Sequence, residues 1–211
     1  IPCIENGNDV TLIGTPLENN LIDEISKSAH PALKVALPKK LKIEKFEKIK
    51  DYSDADLIVC AVSSLGVDWF IDQISQMKNI KLNIVLLTKG LAIQGGKLIT
   101  ISYKIKSELK KKGFNDVVVT AIKGPCLAAG LANKMRTGTV IANENSDTAK
   151  LVQKVITTEY YSTETSEDVV GVEFCGAIKN IYSMLIGASE GLSNPKAPKE
   201  IQEKFFLNTS A

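Results

Sequence analysis

The chain has 211 residues, of which 44% are hydrophobic and 24% charged, a composition typical of a soluble globular protein with a sizeable core. Its formal net charge of +2 gives no strong field, which disfavours nucleic acid and acidic membrane surfaces as partners. Because His30 is the only histidine, a three-histidine metal site is excluded. Arg136 is the only arginine, so it alone could bind a carboxylate or phosphate through two parallel hydrogen bonds. Because His30 precedes Pro31 in a polar stretch, we interpret it as structural or solvated.

Four cysteines, Cys3, Cys60, Cys126 and Cys175, are far apart and form no CxxC pair. This spacing argues against zinc, a redox motif or a disulfide framework, and it favours a reducing cytoplasm. No apolar run approaches the roughly 20 residues that a membrane span needs, and no signal-peptide pattern opens the chain. We therefore expect no membrane insertion and no bound metal.

Strands and helices alternate along the chain. Apolar strands are predicted over residues 9–13, 41–43, 55–62, 82–88, 117–122, 137–142 and 160–163. Helices are predicted over residues 16–28, 69–74, 99–112 and 147–155. This alternation predicts an α/β fold, a Rossmann-like and mostly parallel sheet with helices on both faces. Ligands of such folds bind at the carboxyl ends of the strands.

The pattern changes after residue 163. Ser166 is a plausible N-cap, with Glu167 and Asp168 in the first turn of a long helix that reaches about Gly191. We predict a Rossmann-like domain over residues 1–165 and the start of an all-α domain over residues 166–211. The stretch 193–199 contains two prolines and is predicted to be a loop.

Two candidate sites follow predicted strands. Lys89-Gly90 comes after the strand at 82–88, so its ammonium is expected at the ligand crevice, although a solvated loop lysine fits the pattern equally well. After the strand at 117–122, Gly124 allows close backbone approach and Pro125 suits the first turn of a helix. The free N–H groups of such a turn can bind an anion, but a turn that only starts a helix is the simpler interpretation.

A third candidate, Lys179, lies on the long helix. Its helical neighbours include Cys175, Gly176, Tyr182 and Ser183, which form a small and largely apolar face. A lysine there either extends to solvent or is held in a pocket, and the small neighbours favour the pocket. Partial burial and a second ammonium would lower its pKa toward the value that proton transfer needs, and Lys89 is the natural candidate for that ammonium.

These segments together resemble the NAD(P)-dependent glycerol-3-phosphate dehydrogenases, in order and spacing. The matching segments are Thr88-Lys89-Gly90-Leu91, Gly124-Pro125-Cys126-Leu127-Ala128, Gly171-Val172-Glu173 and Ala177-Ile178-Lys179-Asn180. Supporting matches are Asn6-Gly7-Asn8-Asp9-Val10, His30-Pro31, Leu37-Pro38 and Ala61-Val62-Ser63-Ser64, so the resemblance covers nearly the whole chain.

The resemblance implies roles for these residues. Lys179 would be the general acid/base at the C2 oxygen, and Lys89 would touch both substrate and nicotinamide. Gly124, Cys126 and Asn180 would contact the substrate. The cofactor contacts would come from Thr15, Lys89 and Ala128. The implied reaction is hydride transfer between NAD or NADP and dihydroxyacetone phosphate or sn-glycerol 3-phosphate, in the cytoplasm and feeding phospholipid synthesis. The resemblance leaves open whether the protein forms a homodimer.

Three departures from the family pattern qualify these expectations. Cys126 stands where serine or threonine is usual, and a thiol is a weaker donor. Thr15 stands where many NADP-preferring members have arginine, which leaves the choice between NAD and NADP open. The glycine-rich turn and most of the helical domain are not in the sequence, so we expect this chain alone to bind dinucleotide poorly and to turn over little.

Two other interpretations compete with this resemblance. Ketopantoate reductases and relatives of 6-phosphogluconate dehydrogenase also use a lysine on the helix after the nucleotide domain, although Thr88-Lys89-Gly90 argues against them. A non-catalytic dinucleotide-binding module is the alternative from another class, and it predicts no need for two lysines in a pocket.

Overall fold

The computed structural model describes residues 1–26, 30–33, 35–77 and 82–193. Its strands are β1 (Thr11–Ile13), β2 (Lys42–Glu44), β3 (Ile58–Cys60), β4 (Leu82–Leu86), β5 (Leu91–Gln94), β6 (Lys97–Thr100), β7 (Val117–Lys123), β8 (Thr137–Ala142) and β9 (Tyr161–Ser166). Its α-helices are α1 (Pro2–Glu5), α2 (Asn19–Ile25), α3 (Val67–Ile74), α4 (Ile101–Lys111), α5 (Ala128–Ala132), α6 (Ser146–Ile156) and α7 (Val169–Ser193). Short 3₁₀ turns cover Pro16–Glu18, Phe46–Tyr52 and Ser64–Gly66.

Five strands form the central sheet in the order β3-β4-β7-β8-β9. All neighbours in it are parallel except the antiparallel pair β7–β8. Strands β1 and β2 form a separate parallel pair. The predicted α/β class, with a mostly parallel Rossmann-like sheet, is therefore confirmed.

The core lies on both faces of the central sheet, as the near-continuous apolar strands predict. On one face α3 and α4 bury Phe70, Ile74 and Ile105 against β3 and β4. On the other face α6 buries Val152 and Ile156. This two-sided cover explains why β4 and β7 carry apolar residues at successive positions.

A β-hairpin between β4 and α4 is absent from the sequence prediction. Strands β5 and β6 pair in antiparallel register around Gly95 and Gly96, both with positive φ. Ile99 was assigned to a helix, which is wrong, because it lies in β6 and α4 begins only at Ile101. The end of α4 is as predicted, since Gly113 adopts φ +95° and Lys110 and Lys111 lie in the last turn.

Helix α7 begins differently from the prediction. Ser166 ends β9, and it is the Asp168 carboxylate that accepts a hydrogen bond from the Gly171 amide, at 2.7 Å. Asp168 is therefore the N-cap, and the prediction of Ser166 was wrong. The division into two domains near residue 165 stays a prediction. Residues 194–211 of the second predicted domain, which include most of the proline-containing loop, lie outside the described residues, as do residues 27–28 of the first predicted helix.

Helix α7 is more apolar than predicted from its sequence. By length and composition, its residues 169–189 could cross a membrane, with a mean hydropathy of 1.4 and 11% of the stretch buried. The expectation that no such run exists is therefore wrong for this helix. The start of α7 nevertheless packs on the central sheet, where Val169 and Val172 contact Ala121 and Ala142.

Candidate functional site

Lys89 follows β4 at the carboxyl edge of the sheet, and its side chain is exposed. The preceding residue, Thr88, is buried, and its hydroxyl donates to the Val62 carbonyl oxygen at 2.8 Å. Gly90 adopts φ +117°, and a Cβ there would lie 3.6 Å from the Ser64 side chain. The Lys89 segment therefore lies beside the chain that leaves β3, at the edge where ligands of such sheets bind.

Lys123, the last residue of β7, is a buried lysine that the sequence analysis did not single out. Its side chain is 4% exposed. Its Nζ donates to the carbonyl oxygen of Thr88 at 2.7 Å and to that of Leu86 at 3.2 Å. Lys123 therefore bonds to the backbone immediately before Lys89.

Burial lowers the pKa of the Lys123 ammonium from 10.5 to about 8. The charge of Glu173 on α7 opposes this shift, as does Cys60 on β3, whereas Lys89 lowers the Lys123 pKa further. Lys123 therefore lies within electrostatic reach of both the proposed site and α7.

The depressed pKa of Lys123 predicts how stability depends on pH. The unfolded chain keeps this proton up to about pH 10.4, whereas the folded chain releases it near pH 8, so the unfolded state binds more protons between these values. The free energy of unfolding of the wild type should therefore rise by about 2–3 kcal/mol relative to Lys123→Met between pH 8 and 10. Urea unfolding of both proteins over this range measures the difference. Parallel pH curves would contradict the assignment.

Gly124 lies against strand β8 at the antiparallel β7–β8 pair. A Cβ at Gly124 would approach the Gly138 carbonyl oxygen to 2.8 Å and the Thr139 Cα to 2.9 Å. The Thr139 hydroxyl also donates to the Lys123 carbonyl oxygen at 2.6 Å. The close backbone approach predicted for Gly124 is thus present, and its partner is β8.

Gly124→Ala is expected to lower the free energy of unfolding by about 1–3 kcal/mol, because the added methyl group overlaps backbone atoms that cannot move independently. Gly187→Ala in α7 is the matched control, since a Cβ there meets nothing within 4 Å and should be neutral or stabilising. Chemical denaturation measures both variants. Equal stability of the two variants would show that β8 can move away from a Cβ at residue 124 at little cost in free energy.

The segment after Gly124 does not continue directly as a helix. Helix α5 begins at Ala128, with Leu127 as its N-cap, so the prediction of Pro125 in the first turn was wrong. Cys126 is half-buried, packs against the core cluster under α6, and its Sγ lies 3.9 Å from the Leu127 carbonyl oxygen. Ala128 is exposed.

The Lys179 face of α7 begins at Gly176. A Cβ at Gly176 would lie 3.0 Å from Cγ and Cδ of Lys123, so the room left by this small residue is filled by the Lys123 side chain. Lys179 follows one turn later, about 4.5 Å further along the helix axis, and is half-buried. Asn180 is exposed.

Glu173, part of a segment that carries the family resemblance but without a predicted role, is the second buried charged residue. It is 0% exposed. Its carboxylate accepts hydrogen bonds from the backbone amides of Ile101 at 3.2 Å and Ser102 at 3.3 Å. Glu173 therefore binds the first turn of α4, where the helix dipole favours a negative charge.

Contacts around Lys123 connect three of the predicted segments. Lys123 bonds to the backbone next to Lys89, precedes Gly124 in the chain and packs on Gly176, one turn from Lys179. Both missed residues had a signal in the sequence. Lys123 lies at the end of an apolar strand, much as Lys89 follows one, and Glu173 is a carboxylate between the apolar residues Val172 and Phe174 of α7.

Thr15 lies at another part of the same α/β unit, where it follows β1 after Gly14. It is half-buried, and its backbone amide donates to the Glu18 carboxylate at 2.9 Å. Its neighbour Gly14 packs on Ile22, where a Cβ would approach the side chain to 2.5 Å. Among the described residues, no group of three or more His, Cys, Asp or Glu side chains is arranged to hold a metal ion.

The family model and the relatives compared by sequence name the same family. Residues 1–149 match the family model described as the N-terminus of NAD-dependent glycerol-3-phosphate dehydrogenase. An NADP(+)-dependent glycerol-3-phosphate dehydrogenase of Archaeoglobus fulgidus is 28% identical over 218 aligned positions, which cover 100% of this chain and 62% of that protein. A glycerol-3-phosphate dehydrogenase [NAD(P)+] of Leptospira biflexa is 31% identical over 189 positions, 89% of this chain and 55% of the relative.

The solved structures agree with these sequence matches at the level of the fold. The crystal structure of glycerol-3-phosphate dehydrogenase from Coxiella burnetii superposes with a TM-score of 0.76 at 24% identity, covering 98% of this chain and 60% of that one. The chain thus spans less than two thirds of the length of these relatives.

Proposed function

We propose that this chain, which belongs to the NAD-dependent glycerol-3-phosphate dehydrogenase family, serves hydride transfer between NAD(P)H and dihydroxyacetone phosphate, with sn-glycerol 3-phosphate as the product or, in reverse, the substrate. The observation that carries the proposal is the contact chain from the Thr88 carbonyl oxygen through Lys123 to Gly176. It brings the Lys89 segment to the helix face on which Lys179 lies. The reaction needs one proton donor at the C2 oxygen and groups that hold the substrate, and the two lysines would fill these roles.

We assign the proton transfer to Lys179. Reduction of the C2 carbonyl leaves negative charge on its oxygen, and an ammonium within hydrogen-bond reach neutralises that charge by donating a proton. In the reverse direction the neutral amine accepts the hydroxyl proton. The half-buried position of Lys179, one helical turn beyond the Gly176–Lys123 contact, supports this role.

Lys89 would bind the substrate and border the nicotinamide. Its exposed ammonium at the carboxyl edge of the sheet is free to meet an anionic or carbonyl group. Gly124, Cys126 and Asn180 would complete the site for a small phosphorylated molecule. The Cys126 thiol is the least favourable of these, since it packs partly into the core under α6.

The carboxyl edge of the sheet suits NAD or NADP. Exposed polar residues follow β3 and β4 there, among them Ser63, Ser64 and Lys89, and they can meet the polar groups of a ligand at the strand ends. Thr15, Lys89 and Ala128 would border the dinucleotide. When bound, NAD(P)H supplies the hydride, and the protein's own residues orient the substrate and provide the proton.

A spectrophotometric assay tests the proposal. The protein expressed from its complete gene should oxidise NADH or NADPH with dihydroxyacetone phosphate and should be inactive with ketopantoate. Under the same conditions it should not reduce NAD(P)+ with 6-phosphogluconate. Preference for either of these alternative substrates would replace the proposal, and binding of dinucleotide without turnover of any of them would favour a non-catalytic module.

We also propose that the Rossmann-like unit ends near residue 165 and that a helical substrate domain begins with α7. The change from β9 to a helix of 25 residues supports this division. A cytoplasmic location and a role in phospholipid synthesis are part of the same proposal.

A further inference from the structure

The segment from Leu86 to Ser102 contains Lys89 and the whole β5–β6 hairpin. Two buried charged residues from outside the segment bind its two ends. At its start the Lys123 ammonium donates to the carbonyl oxygens of Leu86 and Thr88 at 3.2 and 2.7 Å. At its end the Glu173 carboxylate accepts from the amides of Ile101 and Ser102 at 3.2 and 3.3 Å.

We propose that Lys123 and Glu173 are positioning residues that hold the two ends of this segment and so fix the place from which Lys89 projects. Only the use of Lys89 in catalysis rests on the proposed function. The holding of the segment, which we call the clamp, rests on the contacts alone.

Few contacts within the segment itself could replace the hydrogen bonds of the clamp. Ile93 and Leu98 of the hairpin are 75% and 57% exposed, so the hairpin buries little apolar surface of its own. Gly90 adopts a conformation that only glycine takes without strain, and it gives the backbone after Lys89 little side-chain restraint. The position of Lys89 therefore depends on what holds the ends, and at the first end the Thr88 hydroxyl acts beside Lys123 by donating to the Val62 carbonyl oxygen at 2.8 Å.

Lys123 and Glu173 do not act as a buried ion pair with each other. None of the salt bridges among the described residues joins them. Each charge is instead satisfied by two backbone groups of the segment, and hydrogen bonds to charged groups are stronger than neutral ones. Lys123 belongs to β7 and Glu173 to α7, and both of these elements lie outside the segment. Gly176, which has no side chain, leaves the space that the Lys123 side chain occupies.

Amide hydrogen exchange with Lys123→Met tests the clamp without reference to activity. Methionine keeps the length of the buried stem and removes the donors. Exchange of the amides of residues 87–94 should speed up about tenfold or more, because a hydrogen bond to a charged group is lost, while exchange in β8 should stay unchanged. Lys150→Met, on the exposed surface of α6, is the matched control and should behave as the wild type.

The same variants connect the clamp to catalysis. In protein expressed from the complete gene, Lys123→Met should lower kcat/KM about tenfold, because Lys89 is displaced, and Lys150→Met should not. Lys123→Gln, which keeps an N–H donor on a shorter side chain, should give intermediate values in both measurements. If Lys123→Met does not fold, Lys123→Gln takes its place in both measurements.

Three results would overturn the proposal. One is unchanged exchange at residues 87–94 in a folded variant. Another is exchange raised equally throughout the sheet, which identifies an ordinary core residue. The third is local loosening with kcat/KM unchanged in an active enzyme. An inactive wild type would instead count against the proposed function, and the exchange data would still decide whether the clamp exists.

Discussion

Replacement of Lys179 by alanine should lower kcat by about 10²–10⁴, the range that a positioned general acid or base contributes. The protein should stay folded, because Lys179 is only half-buried and makes no side-chain hydrogen bond among those of the described residues. The loss should appear in kcat more than in KM, since the proton is needed in the transition state and not for binding. Steady-state kinetics with NADH or NADPH and dihydroxyacetone phosphate measure this effect.

Two further variants separate proton transfer from charge and from surface effects. Lys179→Arg keeps the positive charge but holds its proton at all working pH values, so it should be nearly as inactive as Lys179→Ala. Lys150→Ala removes an exposed lysine of α6 and should leave kcat within about twofold. A Lys179→Arg enzyme with wild-type kcat would show that the residue acts only as a charge.

The sheet could be read from the sequence because its strands are buried on both faces. Strand β8 is predicted at residues 137–142 and observed at Thr137–Ala142, since a short apolar run between turn residues has few other solutions. The β5–β6 hairpin was missed because residues 91–98 were placed in no predicted element and Ile99 was assigned to the helix after it. Gly95-Gly96, a two-residue hairpin turn, was the overlooked signal.

The candidate site could be read only in part. Lys89, Gly124 and Lys179 were singled out because strand ends and helix faces follow from local pattern. No role was predicted for Lys123 or Glu173, because their importance depends on which distant backbone groups they meet. A sequence shows that a lysine ends an apolar strand, but it does not show that the neighbouring strand presents two carbonyl oxygens to it. The role of Gly176 is of the same kind, since its small size is explained by the Lys123 side chain and not by a ligand.

Replacement of Glu173 by alanine should lower the free energy of unfolding by about 3–5 kcal/mol, the largest stability effect that we expect in this chain. The carboxylate is fully buried, so its removal leaves a cavity and two amides of the first α4 turn without their acceptor. It also removes the negative charge that raises the Lys123 pKa, so this pKa should fall below about 8. Urea unfolding measures the loss, and Glu167→Ala, at the exposed start of α7, is the control that should cost less than about 0.5 kcal/mol.

A double-mutant cycle decides how the two buried charges depend on each other. Glu173→Ala leaves the Lys123 ammonium buried without its compensating charge, so part of the cost belongs to Lys123. The double variant Lys123→Met/Glu173→Ala should therefore lose at least about 0.5 kcal/mol less than the sum of the single variants. Additive losses would mean that each residue serves only the backbone groups it bonds to, and a Glu173→Ala protein as stable as the wild type would mean that other acceptors reach the first turn of α4.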